Sequence, residues 1–92
     1  MSKKIRRRYI FYGTVQGVGF RYRAVYAARA LNVTGWVKNE WDGTVVMEAQ
    51  GTQEDLDDLI SSITRGRFVY VDEVKYKDIP LENGEYGFHV RG

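Results

Sequence analysis

The sequence predicts an α+β sandwich in which two helices cover one face of a largely antiparallel sheet. Three observations carry that prediction. A dense β-former run, Tyr9-Ile10-Phe11-Tyr12, precedes the first of two stretches whose apolar residues recur at helical spacing. Between the two helical stretches lies Asp42-Gly43, a strong hairpin turn signal with extended segments on either side. The resulting order is strand, helix, strand, hairpin strand, helix, strand, a split β-α-β unit repeated once.

Residues 8–12 read as a buried strand, and a glycine-rich loop follows. Phe20, Ala24, Ala27, Ala28 and Leu31 then mark a helix over about residues 21–32, with Asn32 near its end. Residues 34–38 form a second strand. Past the hairpin turn, residues 44–50 alternate Val45, Met47 and Ala49 against Val46, Glu48 and Gln50. Gly51-Thr52 ends that strand, and Thr52 with Asp55 three residues later resembles a capping box. Leu56, Leu59, Ile60 and Ile63 give one apolar stripe of a second helix, which closes near Gly66. Residues 68–79 read as a long strand, 80–84 as a turn and 86–91 as a short terminal strand. Such an arrangement is the ferredoxin-like sandwich, a fold that hosts many unrelated functions.

With 92 residues, no internal repeat and no linker, the chain is expected to form one domain over residues 1–92. Cysteine is absent, which excludes disulfides, thiol nucleophiles and thiolate metal sites. A cysteine-free chain suits a reducing cytosol, and a cytoplasmic location is expected. No apolar run reaches the length of a membrane span, and residues 1–9 lack the apolar core of a signal peptide.

The net charge of +2 is unevenly placed. Lys3, Lys4, Arg6, Arg7 and Arg8 supply five positive charges, so residues 9–92 sum to −3. An acidic body argues against a nucleic-acid-binding face, and no nucleic-acid or membrane partner is expected. Residues 1–8 read as a solvated, frayed basic terminus.

The segment between the first strand and helix reads Gly13-Thr14-Val15-Gln16-Gly17-Val18-Gly19-Phe20-Arg21. Glycines permit positive φ and close backbone approach, and converging N–H groups before a helix make an anion-binding concavity. Arg21 falls in the first helical turn, where a cation opposes the helix dipole. A planar, permanently charged fork facing a phosphate would explain its position. This is neither a Walker loop, since no Gly-Lys-Ser/Thr occurs, nor a dinucleotide fingerprint, since no third glycine follows Gly19 in register.

Gly13-x-Val15-Gln16-Gly17-Val18-x-Phe20-Arg21 is similar, residue for residue, to the signature loop of acylphosphatases. A second family motif follows at the expected distance as Gly35-Trp36-Val37-x-Asn39, Asp42-Gly43-x-Val45 and Gln50-Gly51. The resemblance implies a metal- and cofactor-independent hydrolase that converts small acyl phosphates to carboxylate and inorganic phosphate. It implies that Arg21 binds the phosphate beside the backbone amides of Gln16, Gly17, Val18, Gly19 and Phe20. It implies that Asn39 positions the attacking water. Inorganic phosphate would then be both product and inhibitor, and a monomer is expected. Glu40 departs from the family pattern and would bring a negative charge near the phosphate site, as Gly92 departs at the chain's end.

The residue chemistry agrees with these roles. A carboxylate leaves readily, so no strong general acid is required. Phosphoryl transfer depends on positioning and charge stabilisation, which one Arg, a ring of amides and one oriented water can supply. His89, the only histidine, is expected to be structural, and Glu54, Asp55, Asp57 and Asp58 a solvated helix face rather than a metal site. Trp36 and Trp41 are expected to pack in the core and hairpin. A rival reading is an RNA-binding module, because Gly84-Glu85-Tyr86-Gly87-Phe88-His89-Val90 echoes the aromatic motif of RNA recognition domains. That echo lies on the last strand and carries Glu85 where a basic residue belongs. A catalytically silent relative is the other alternative, and the presence of both Arg21 and Asn39 speaks against it.

Overall fold

The computed structural model describes residues 3–17, 19–65 and 69–92. The chain runs β1 (Lys4–Thr14), α1 (Phe20–Ala30), β2 (Thr34–Asn39), β3 (Val45–Thr52), α2 (Gln53–Thr64), β4 (Tyr70–Ile79) and β5 (Phe88–Val90). The five strands form one sheet in the order β4-β1-β3-β2-β5, with both helices packed on one face. All pairings are antiparallel except β2 with β5, which is parallel. No helix of the described residues is long and apolar enough to cross a membrane.

Local chemistry accounts for the joints. Thr52 caps α2 by accepting from the Asp55 N–H through Oγ1 at 3.1 Å. In the β2–β3 turn, Asp42 Oδ1 accepts from both the backbone N–H (3.0 Å) and the hydroxyl (2.7 Å) of Thr44. Gly35 has φ +146°, and a Cβ there would lie 1.9 Å from the Glu48 carbonyl oxygen, so only glycine fits mid-strand. Leu56, Leu59 and Ile63 of α2 meet Phe11, Val37 and Met47 of the sheet and Ala24 and Ala28 of α1 in one core. Phe20 anchors the start of α1 there, edge-on to Phe11 at 5.0 Å between ring centres.

Residues 4–8 of the basic terminus are not frayed. They continue β1, which is paired on both sides, with Arg6 opposite Gln50 of β3 and Ile79 of β4. Arg6 is only 2% exposed and pairs with Glu85 at 2.7 Å and Glu48 at 3.1 Å. Arg7 meets Asp78 at 2.8 Å, and Arg8 meets Glu48 at 2.7 Å. A charge count treats lysine and arginine as solvated. Here the register sets Arg8 and Arg6 against carboxylates some forty and eighty positions away, which composition does not reveal.

A smaller difference concerns the end of the chain. The expected terminal strand over 86–91 is shortened to three residues, because Gly87 at φ +73° interrupts the extended run. The connection before it is held at the sheet by Gln50, which accepts from the Glu82 N–H at 2.8 Å. The expected helix end at Gly66 and strand start at Phe68 lie outside the described residues.

Candidate active site

Val15 is buried and fixes the root of the loop between β1 and α1. Gly17 and Gly19 follow at φ +72° and +76°, with nothing within 4 Å of where a Cβ would stand. These two turns bring the loop to the N-terminus of α1, where Gly19 occupies the capping position without a side-chain cap. The first N–H groups of the helix therefore stay available to an anion.

Val15, Gly17, Gly19, Phe20, Arg21, Tyr22 and Asn39 line one cleft of about 230 Å³. Arg21 and Asn39, 18 positions apart in sequence, thus share a single concavity. Arg21 takes part in none of the ion pairs among the described residues, in contrast to Arg6, Arg7 and Arg8. Asn39 is the last residue of β2, held in register opposite Val45. Its Oδ1 is buried and has no hydrogen-bond partner among the described residues. A buried acceptor without a donor costs about 1–3 kcal/mol, and such a cost is typically retained where a ligand or water will be bound.

Of the loop positions, Gly17, Gly19 and Phe20 line the cleft, and Val18 lies outside the described residues. Gln16 does not line it. Its side chain turns the other way, and Nε2 donates to the carbonyls of Glu40 at 2.7 Å and Thr44 at 2.8 Å. The loop is thereby fastened to the hairpin that begins next to Asn39, a function of Gln16 that sequence reasoning missed. Glu40 meets the loop through its backbone carbonyl, and its carboxylate is not among the groups lining the cleft. Tyr22 was missed as well; only its place after Arg21 in the first helical turn hinted at it.

The remaining candidates fall elsewhere. His89 bonds the Tyr86 carbonyl through Nε2 at 2.7 Å, a local contact. Glu54 and Asp55 lie in the first turn of α2, and Asp57 reaches Arg7 at 3.6 Å. Trp36 lies under the guanidinium of Arg91 at 4.4 Å, whereas Trp41 is 95% exposed at the hairpin tip, against the expectation of packing. Phe88, the centre of the RNA-module echo, is wholly buried in the core and offers no surface for base stacking.

The acylphosphatase family model matches residues 7–90. The chain is 47% identical over 84 residues to the acylphosphatase of Leuconostoc mesenteroides, covering 88% of this chain and 91% of that one. It is 44% identical over 79 residues to the acylphosphatase of Clostridium acetobutylicum, covering 85% and 87%. Among solved structures, acylphosphatase from Bacillus subtilis superposes with a TM-score of 0.88 at 31% identity, over 96% of this chain and 99% of that one. Full-length HypF in its phosphate- and nucleotide-bound form also gives 0.88 at 26% identity, but the match covers 12% of that longer chain.

Proposed function

The chain belongs to the acylphosphatase family and hydrolyses acyl phosphates, and from that premise we propose that Arg21 and Asn39 divide the chemistry between them. The observation that carries this reading is the shared cleft: a guanidinium, a positive-φ loop at a helix N-terminus and a buried, unpartnered amide oxygen converge there.

Arg21 and the backbone amides of Gly17, Gly19 and Phe20, the loop residues that line the cleft, hold the phosphoryl group. Charge builds on its equatorial oxygens in the transition state, and a fixed guanidinium meets that charge without reorganisation. Asn39 accepts a hydrogen bond from a water through Oδ1 and holds it in line with phosphorus. An amide is too weak a base to take the water's proton, so the bound phosphate takes it. The water oxygen bonds to phosphorus as the phosphorus–oxygen bond to the acyl group breaks. The electron pair leaves on the carboxylate, whose low basicity removes any need for a general acid.

The products are a carboxylate and inorganic phosphate, and phosphate inhibits by occupying the cradle its own release vacates. In this reading the protein works as a monomer on a small diffusible substrate, and its lack of cysteine suits a reducing cytoplasm. Phosphate release from acetyl phosphate beside p-nitrophenyl phosphate tests the mechanism. Rapid release from the first and little from the second is expected, with chelator having no effect. Comparable turnover of the ester, or loss of activity in chelator, would sink it.

A further inference from the structure

The sheet face away from the helices carries a charge pattern that a sum over the chain conceals. Register places Lys77, Arg8, Glu48, Trp36 and His89 in one row across all five strands. Four strand spacings of about 4.8 Å make that row about 19 Å long. Its carboxylate is already occupied, since Glu48 meets Arg6 at 3.1 Å through one oxygen and Arg8 at 2.7 Å through the other. Lys75, Lys77 and Arg91 take part in none of the ion pairs among the described residues. Against them on these strands stands Glu73, opposite Tyr12. A concavity of about 250 Å³ opens between β1 and β4, lined by Arg8, Ile10, Lys75, Tyr76 and Lys77, with no carboxylate among the described residues that line it.

Rings lie among these cations. Arg8 and Arg91 stand over Trp36 at 5.9 and 4.4 Å, and Lys75 over Tyr12 at 5.5 Å. Contacts of this kind that matter energetically occur about once per 70–80 residues, so three on one face of a 92-residue chain are a concentration. We propose that this face binds single-stranded nucleic acid, laid across the strands from β4 to β5. Lys75, Lys77 and Arg91 meet phosphates, and unpaired bases stack on Trp36 and Tyr12. A base on a ring is worth more than an exposed cation over it, so a base displaces Arg91 from Trp36 and frees it for a phosphate. An acidic peptide or an anionic membrane would engage the cations and leave the rings unused. Binding is indifferent to sequence, because every base has a face to stack. The sum of −3 over residues 9–92 does not oppose this, since Glu54, Asp55, Asp57 and Asp58 lie on α2, across the sheet. Nor is this the surface of the terminal-strand echo, whose Phe88 is buried in the core.

The test measures binding of a short fluorescein-labelled oligothymidylate by anisotropy over a range of salt concentrations. Three phosphate contacts at about 0.7 each predict that log K falls against log salt with a slope of about −2. Lys75→Gln combined with Lys77→Gln should weaken binding about tenfold or more and bring the slope to about −0.7, with acetyl phosphate hydrolysis unchanged. Arg29→Gln, an exposed change on α1, should bind as wild type does. In Trp41→Phe protein Trp36 is the sole tryptophan, and unlabelled oligothymidylate should quench its emission as a base stacks on it. Absence of binding at low salt, or binding unmoved by the lysine substitutions, would overturn the proposal. Loss of binding in Arg21→Ala would overturn it too, by placing the oligonucleotide's phosphates in the catalytic cleft. Phosphatidylserine vesicles that bound the protein as readily, with Trp36 emission untouched by oligothymidylate, would assign the face to a membrane surface instead.

Discussion

Replacing Gln16 with methionine keeps the length of the side chain and removes both hydrogen bonds to the hairpin. The lost bonds are short, 2.7 and 2.8 Å, and each is worth about 0.5–1.5 kcal/mol net. Neither carbonyl is orphaned by the change. Glu40 O still accepts from the Gly43 N–H at 3.2 Å, and Thr44 O from the Glu40 N–H at 2.9 Å. The desolvation penalty is therefore small, and Gln16→Met should cost about 2 kcal/mol. For a domain of this size that is a fall in Tm of about 8–16 °C. Activity should suffer more than stability at the assay temperature. The loop carries the phosphate cradle and the hairpin begins beside Asn39, so a displacement near 1 Å between them can cost about a hundredfold in rate. The expected signature is a fall in kcat of tenfold or more, with the inhibition constant for phosphate little changed, since the cradle stays on its own helix. Thermal unfolding by circular dichroism and phosphate release measure the two effects. A variant that kept kcat within twofold of wild type would refute the idea that this clamp aligns the site.

Glu85 carries a pH prediction. Burial pushes its carboxyl up, but the hydrogen bond and charge of Arg6 outweigh this and hold it below the ordinary value of 4.5. A depressed folded-state value contributes stability that is fully present above 4.5 and is lost as pH falls through the folded value. Glu85→Gln should therefore lower urea stability by about 1–2 kcal/mol at neutral pH, with the gap to wild type closing in acid; a constant gap would contradict this. Two glycine substitutions should separate strain from collision. Gly19→Ala meets no atom within 4 Å but must hold φ +76°, so it should cost about 1–2 kcal/mol. Gly35→Ala drives a Cβ into the Glu48 carbonyl in the middle of the sheet and should prevent folding or cost well over 3 kcal/mol. Equal unfolding midpoints for the two would contradict the distinction.

Much of the fold was legible because its signals are local. Asp42-Gly43 makes the hairpin, Thr52 caps α2, and Leu56, Leu59 and Ile63 bury the stripe that their spacing describes. The site's two charged and polar candidates were legible for another reason, the family likeness of the segments that hold them. What escaped was set by distant partners. Arg6, Arg7 and Arg8 run together without alternating with apolar residues, so β1 reads short until Glu48 and Glu85 are placed beside it. Gln16 declares its role only once the carbonyls 24 and 28 positions away are in reach. The row from Lys77 to Trp36 requires four strands to be set in register.

The central claim is that Arg21 holds the phosphate and Asn39 holds the water, and substituting each tests it most directly. Turnover of acetyl phosphate and inhibition by inorganic phosphate would be measured for Arg21→Ala and Asn39→Ala, with circular dichroism as the folding control. Arg21→Ala should lose phosphate inhibition and about 3–5 kcal/mol of transition-state stabilisation, the worth of a charged, bidentate contact. Asn39→Ala should lose about a hundredfold or more in kcat while its inhibition constant for phosphate stays close to wild type. The opposite pattern, with phosphate binding lost in Asn39→Ala and kept in Arg21→Ala, would contradict the account and exchange the two roles.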